Sequence, residues 1–130
     1  MEIVEHINPG DLAAPPGGVY THVVRVGDTV YISGQVSRDK DGEVVGGDVV
    51  TQYKQVTNNL AIAMASVGGG LEHIVKTTTY VVGQENVAPL LDYRRQIRLS
   101  NPATGTLLVV SALANPSFLV EVEAIAFLSG

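Results

Sequence analysis

The stretch Phe118-Leu119-Val120-Glu121-Val122-Glu123-Ala124-Ile125-Ala126-Phe127-Leu128 decides the architecture. Its β-branched and aromatic content and its period of two read as a strand. Val120, Val122, Ala124 and Ala126 form one apolar face, while Leu119, Ile125 and Phe127 make the opposite face largely apolar too. A strand that is apolar on both sides needs cover on both sides. Glu121 and Glu123 interrupt the second face, and a spacing of two residues projects both carboxylates to the same side, about 7 Å apart.

The elements that supply the cover are found by moving outward from this strand. Ala114-Asn115-Pro116-Ser117 is a turn, and Thr106 to Leu113 reads as a further strand, buried. Gln84 to Ser100 carries Val87, Leu90, Leu91 and Ile97 near helical spacing, with Arg94, Arg95 and Arg98 at its C-terminal end, where the helix dipole favours cations. Ile74 to Val82 alternates Val75, Thr77, Thr79 and Val81 with Ile74, Lys76, Thr78, Tyr80 and Val82, which predicts a central strand. Asp48 is a good N-cap for a helix in which Val49, Tyr53, Val56, Leu60, Ala63 or Met64, and Val67 recur every three or four residues; Gln52, Lys54, Gln55 and Asn58 fall mainly elsewhere on the wheel. Gly68-Gly69-Gly70 ends that helix. Thr21 to Val26 and Thr29 to Ser33 flank Gly27-Asp28 as a hairpin, and Glu2 to His6 reads as a first short strand before a Pro and Gly-rich loop.

This order predicts an α+β fold, a mixed sheet of about six strands with two helices on one face. Residues 1–130 form a single domain in this reading. With both helices spent on one side, a second copy of the same chain is the economical cover for the other, which predicts a homo-oligomer.

Composition narrows the function. Eight Lys and Arg against thirteen Asp and Glu give a net charge of −5, which disfavours nucleic acid and anionic lipid as partners. The chain has no cysteine, which removes disulfides, thiolate metal sites and Cys nucleophiles. No apolar run is long enough to span a membrane and the N-terminus lacks the basic and apolar parts of a secretory signal, so a cytoplasmic protein is expected. His6, His22 and His73 are isolated, so no metal is expected.

Several residues could carry chemistry. A carboxylate at Glu121 or Glu123, flanked by Leu119 and Ile125 on a half-buried face, should hold protons more tightly than usual, as a general acid or base requires; a structural ion pair across an interface is the alternative. Tyr31-Ile32-Ser33-Gly34-Gln35 ends a strand in small residues that let a ligand approach the backbone, with a plain strand end or bulge as the alternative. Ser33 has no local base, which argues against triad chemistry. Arg94 and Arg98 share a helical face and could clamp an anion, or form a solvated helix end.

Gly17-Gly18-Val19-Tyr20, Val30-Tyr31-Ile32-Ser33-Gly34-Gln35, Ile74 to Val81, Pro102-Ala103 and Leu119 to Ala126 together resemble the Rid family, also called the YjgF group. The resemblance spans nearly the whole chain. It implies a chorismate-mutase-like fold assembled as a homotrimer, with small-molecule clefts between subunits. Its best-known members hydrolyse enamines and imines such as 2-aminoacrylate to 2-oxo acids and ammonia without a cofactor. The resemblance makes Tyr20 the cleft tyrosine, Ser33 and Gly34 the ligand-contacting strand end, and Glu121 the glutamate that positions water. It departs at Pro102-Ala103-Thr104, where those deaminases read P-A-R with an arginine that grips the substrate carboxylate, and at Leu91, where such members often carry an asparagine. An arginine fork makes two charge-assisted hydrogen bonds of about 1.5–3 kcal/mol each, so its absence removes about 3–6 kcal/mol of affinity or orientation. Either the ligand is less anionic, or one of Arg94, Arg95 and Arg98 supplies the charge. The expected site is therefore Glu121 and Tyr20 as catalytic groups, with Ser33, Gly34, Thr104, Leu91 and Arg94 binding substrate. A divergent imine or enamine hydrolase leads the functional readings, followed by a non-catalytic small-molecule-binding trimer and then by a ribonuclease, which the −5 charge disfavours.

Overall fold

The last strand of the chain lies in the middle of the sheet. The computed structural model describes residues 3–97 and 99–129 and places β1 (Val4–Ile7), β2 (Val23–Val26), β3 (Thr29–Gln35), β4 (Ile74–Val82), β5 (Thr104–Val110) and β6 (Val120–Phe127) in the order β1-β2-β3-β6-β4-β5. Glu2 of the expected first strand and Arg98 lie outside the described residues. β6 pairs antiparallel with both β3 and β4, whereas β4 and β5 run parallel. The parallel pair needs a crossover, and the helix α2 (Val87–Ile97) supplies it. The other helix, α1 (Val49–Ala65), follows the hairpin region. The sheet is mixed and the fold α+β, as the sequence predicts.

One face of the sheet carries the core. Val30 and Ile32 of β3 and Val120, Val122, Ala124 and Ala126 of β6 are buried against Tyr53, Val56, Leu60 and Met64 of α1. Leu90 of α2 is fully buried in the same cluster. The Asp48 cap forms as expected, with Thr51 N–H donating to Oδ2 at 3.0 Å and the Thr51 hydroxyl to Oδ1 at 2.7 Å. The chain leaves the α1 region through Gly68 at φ +77°, a left-handed conformation that suits glycine.

Four sequence expectations are corrected. Gln52, assigned to the polar side of the helix, is 1% exposed: its Nε2 donates to the carbonyls of Gly46 (3.0 Å) and Ser117 (2.8 Å), and its Oε1 accepts from Leu119 N–H (2.8 Å). An amide that satisfies three backbone groups can be buried without loss. Val75, expected on the same face as Val81, is 49% exposed, and Ile74 is buried instead, because a register shift against β6 between Ile74 and Lys76 reverses the alternation. The strand expected over Thr106 to Leu113 spans Thr104–Val110 and is a sheet edge, with Leu108 and Val109 exposed in the chain. The second helix starts later than its periodicity, after a 3-10 turn over Gln84–Asn86.

The face of the sheet away from the helices presents Tyr31, Lys76, Thr78, Tyr80, Glu121, Glu123, Ile125 and Phe127. Tyr31 and Phe127 are each 48% exposed there. No described helix is long and apolar enough to cross a membrane.

Candidate active site

The site begins as a bulge. β3 and β6 pair Ile32 with Ala124 and Gln35 with Val122, so three steps on β3 match two on β6, leaving Ser33 and Gly34 opposite Glu123. The extra residue lets Ile32 and Gln35 both point into the protein, and Gln35 locks the loop before β2 in place. Its Nε2 donates to the Ser33 carbonyl at 3.1 Å and meets His22 Nδ1 at 3.1 Å. The opposite ring nitrogen of His22, Nε2, donates to the Ala13 carbonyl at 2.6 Å, which assigns the Nε2–H tautomer to the neutral ring. His22 is thus a satisfied, buried structural histidine. The Ser33 hydroxyl donates to the Thr21 carbonyl at 2.6 Å, so it is committed to the backbone.

Glu121 lies over the bulge. A Cβ placed on Gly34 would come within 2.8 Å of Glu121 Cδ and 3.0 Å of Cγ, so the carboxyl occupies space that only glycine leaves open. Burial pushes the Glu121 carboxyl above the usual carboxylate range, and the neighbouring Glu123 pushes it the same way. Glu123 is exposed and accepts a hydrogen bond from the Tyr80 hydroxyl at 2.8 Å. That bond, followed by slight burial, raises the affinity of Tyr80 for its own proton. The two carboxylates, alike in sequence, differ in environment: one is half-buried and proton-hungry, the other is solvated and hydrogen-bonded.

Tyr20 stands edge-on to the His22 ring, 5.7 Å between centroids, and borders a small hollow with Gly34, Gln35 and Arg38. The fold therefore gathers Tyr20, Ser33, Gly34 and Glu121 around one bulge. The other expected residues lie apart within the chain. Thr104 starts β5, in register with Lys76, whereas Glu121 is paired with Tyr80; the two levels differ by four residues, about 13 Å along the strand. The Thr104 hydroxyl donates to the Val75 carbonyl at 3.0 Å. Leu91 and Arg94 belong to α2, in the helix layer on the other side of the sheet. The Arg94 guanidinium sits 5.8 Å from the centroid of the Tyr53 ring. Burial raises the proton affinity of Tyr53 and Arg94 opposes it. Arg95 is paired with Asp92 at 2.7 Å.

A depression of about 330 Å³ adjoins the bulge on the helix-free face, lined by Tyr31, Ser33, Lys76, Thr78, Glu123 and Ile125 among others. Lys76, Thr78 and Tyr80 are absent from the site expected from sequence. Their alternation on β4 was a usable signal, since it places them on one face, but it carries no pairing with β6. Among the described residues, no three His, Asp or Glu side chains converge to hold a metal ion.

The fold and this carboxylate-bearing bulge define a recognisable class. Residues 12–128 match the family described as Endoribonuclease L-PSP. A RutC family protein of Pyrococcus horikoshii is 32% identical over 117 residues, covering 88% of this chain and 91% of that protein. The mouse 2-iminobutanoate/2-iminopropanoate deaminase is 36% identical over 111 residues, covering 84% of this chain and 81% of that protein. The crystal structure of RidA from Psychrobacter sp. PAMC 21119 superposes with a TM-score of 0.85 at 27% identity, covering 95% of this chain and 98% of that one. The chain belongs to the endoribonuclease L-PSP family, the Rid or YjgF group.

Proposed function

We propose that this protein is a cofactor-independent hydrolase of small imines or enamines, working in clefts between the subunits of a cytoplasmic homotrimer. The observation that carries the reading is Glu121: a half-buried carboxyl above Gly34 whose proton affinity is raised by burial. Its similarity to the mouse deaminase, and to the RidA structure, supports the reaction class. The half-exposed Tyr31 and Phe127 on the helix-free face support a subunit contact there.

The chemistry asks little of the protein. Water adds to the imine carbon as the C=N π pair moves to nitrogen, giving a carbinolamine. Glu121 takes a proton from the attacking water and delivers it to nitrogen. A second transfer carries the remaining hydroxyl proton to nitrogen as the C–N bond breaks, so that ammonia leaves and the oxygen lone pair closes the carbonyl. An enamine enters the same course after protonation at carbon. Tyr20 borders the cleft as a hydrogen-bonding group, and the Ser33–Gly34 backbone forms its floor.

The second reading, a binding trimer without catalysis, is favoured by Thr104, whose hydroxyl is engaged by Val75 and which brings no charge. Ribonuclease activity is disfavoured by the −5 net charge and by the two glutamates on the helix-free face. The test is ammonia release from 2-iminobutanoate generated in place by a dehydratase. The native protein should accelerate it and Glu121→Gln should abolish the acceleration. Equal rates with the native protein and with buffer would favour the binding trimer. A sedimentation mass equal to one chain would remove the shared-cleft arrangement.

A further inference from the structure

We propose that Tyr80 and Glu123 are positioning residues for Glu121: the Tyr80 hydroxyl pins the Glu123 carboxylate on the face they share, and the negative charge held there keeps the reaction's proton on Glu121 until nitrogen receives it. The arrangement comes from the two central strands. β4 and β6 pair Tyr80 with Glu121 and Thr78 with Glu123, so the phenol and both carboxylates stand on one face. The residues that alternate with them, Thr79 and Val81 on β4 and Val120, Val122 and Ala124 on β6, are buried on the other face and hold both strands in place. Tyr80 does not bond the glutamate opposite it. Its hydroxyl reaches diagonally to Glu123 Oε1 at 2.8 Å, a step along the ladder that an aromatic side chain can span. Carboxylates two residues apart on a strand stand about 7 Å apart. A charge fixed at that distance acts on its neighbour, whereas the same side chain turned out into solvent is farther off and more screened.

The surroundings leave that charge little competition. On β4 the other charged group of this face is Lys76, but it lies at the level of Ile125, about 13 Å along the strand from the level of Tyr80 and Glu121. On β3 the face carries Tyr31, also paired with Ile125. Beyond Gly34 lie Tyr20 and Arg38, whose Nε is turned to the Gly42 carbonyl at 3.4 Å. No described cation comes within 4.0 Å of the Glu121 carboxyl. Burial first, and Glu123 second, raise the proton affinity of Glu121. The bond to Glu123 also tightens the hold of Tyr80 on its own proton, so the phenol stays a donor. The pinning stands on this geometry alone; its use in proton transfer rests on the hydrolase reading.

NMR titration of the Glu121 carboxyl tests the pinning without any substrate. Tyr80→Phe keeps the ring and Glu123 is exposed, so Tyr80→Phe and Glu123→Gln should both keep the native melting temperature. The Glu121 midpoint should fall in Tyr80→Phe and fall further in Glu123→Gln. The double variant should titrate with Glu123→Gln, because Tyr80 acts only through Glu123. Raising the salt from about 0.1 M to about 1 M, which shortens the screening length from about 10 Å to about 3 Å, should lower the native midpoint more than that of Glu123→Gln. A Glu121 midpoint unchanged in Tyr80→Phe overturns the proposal, as does a double variant that titrates below Glu123→Gln. If the native protein turns over 2-iminobutanoate, the acid limb of its pH profile should shift to lower pH in the same order, with rates above the limb within about threefold. Midpoints in the expected order without any turnover would sustain the pinning and refute the hydrolase. Turnover with an acid limb that ignores both variants would overturn the proposal and leave the hydrolase standing.

Discussion

Gly34→Ala separates the geometry of the site from the stability of the fold. The added Cβ would stand 2.8 Å from Glu121 Cδ and 3.0 Å from Cγ. Carbon atoms in ordinary contact are about 3.5–4.0 Å apart, so the carboxyl has to retreat by about 1 Å. The obstacle is the end of a flexible side chain on a face open to solvent, so the backbone can stay in place and the cost in stability should stay below about 1 kcal/mol. A 1 Å misplacement of a catalytic group lowers rates about a hundredfold. The variant should therefore melt within about 4 °C of the native protein and lose most of its imine hydrolysis. A readout independent of activity is the NMR titration of the Glu121 carboxyl. Displaced from its half-buried seat, that carboxyl should titrate at lower pH than in the native protein. Native rates together with an unchanged Glu121 titration would refute the claim that glycine is needed to seat the carboxyl.

Glu121→Gln should also change stability with pH. Because Glu121 binds its proton more tightly folded than the ordinary value of 4.5, native stability falls as pH rises from there through the raised folded value. The variant should be the more stable form at neutral pH and lose that advantage below about pH 4, as paired melting curves would record; a difference that grows in acid would contradict the assignment. Gln52→Leu removes three hydrogen bonds, leaving the Leu119 N–H without its partner, and should cost about 2–4 kcal/mol in urea unfolding. A loss under 1 kcal/mol would mean that water replaces the amide. Thr104→Arg, which adds a cation at the start of β5, should lower the KM for 2-iminobutanoate about tenfold or more; an unchanged KM would show that position 104 does not meet the ligand.

Periodicity carried most of the fold. The period of two in Phe118 to Leu128 points to a strand with Val120, Val122, Ala124 and Ala126 on a core face, and the structure buries that face of β6 against the helices. Periodicity fails where an element changes phase. The bulges at Ser33–Gly34 and Ile74–Lys76 each add a residue on one strand only, and nothing local in the sequence marks which strand yields. Gln52 was misassigned for a different reason: its partners, Gly46, Ser117 and Leu119, are backbone groups from segments far apart in the chain, and a helical wheel does not register them. Of the expected site residues, the structure gathers Tyr20, Ser33, Gly34 and Glu121 at one bulge, the four that the family motifs mark. The placing of Thr78 and Tyr80 beside Glu123 and Glu121 was not legible in the sequence, since it depends on β4 pairing with β6.

The same topology makes a carboxylate at position 121 costly. Its strand is the most enclosed of the sheet, its alternate residues Val120 and Val122 are buried, and its own side chain is half out of water. Folding alone would favour an apolar residue there, because the carboxyl is desolvated, faces a second carboxylate and has no described cation paired to it. The nearest neighbour on the adjoining strand is a glycine, which contributes no packing and yields its space to the carboxyl. A leucine over a larger residue than Gly34 would bury more area with less electrostatic cost. Two adjoining positions on the central strands thus depart together from what packing prefers, and they do so where the last strand closes the sheet over a loop locked by His22 and Gln35. Paired departures of this kind are expected where a chain gives up stability for chemistry, the role proposed above for Glu121.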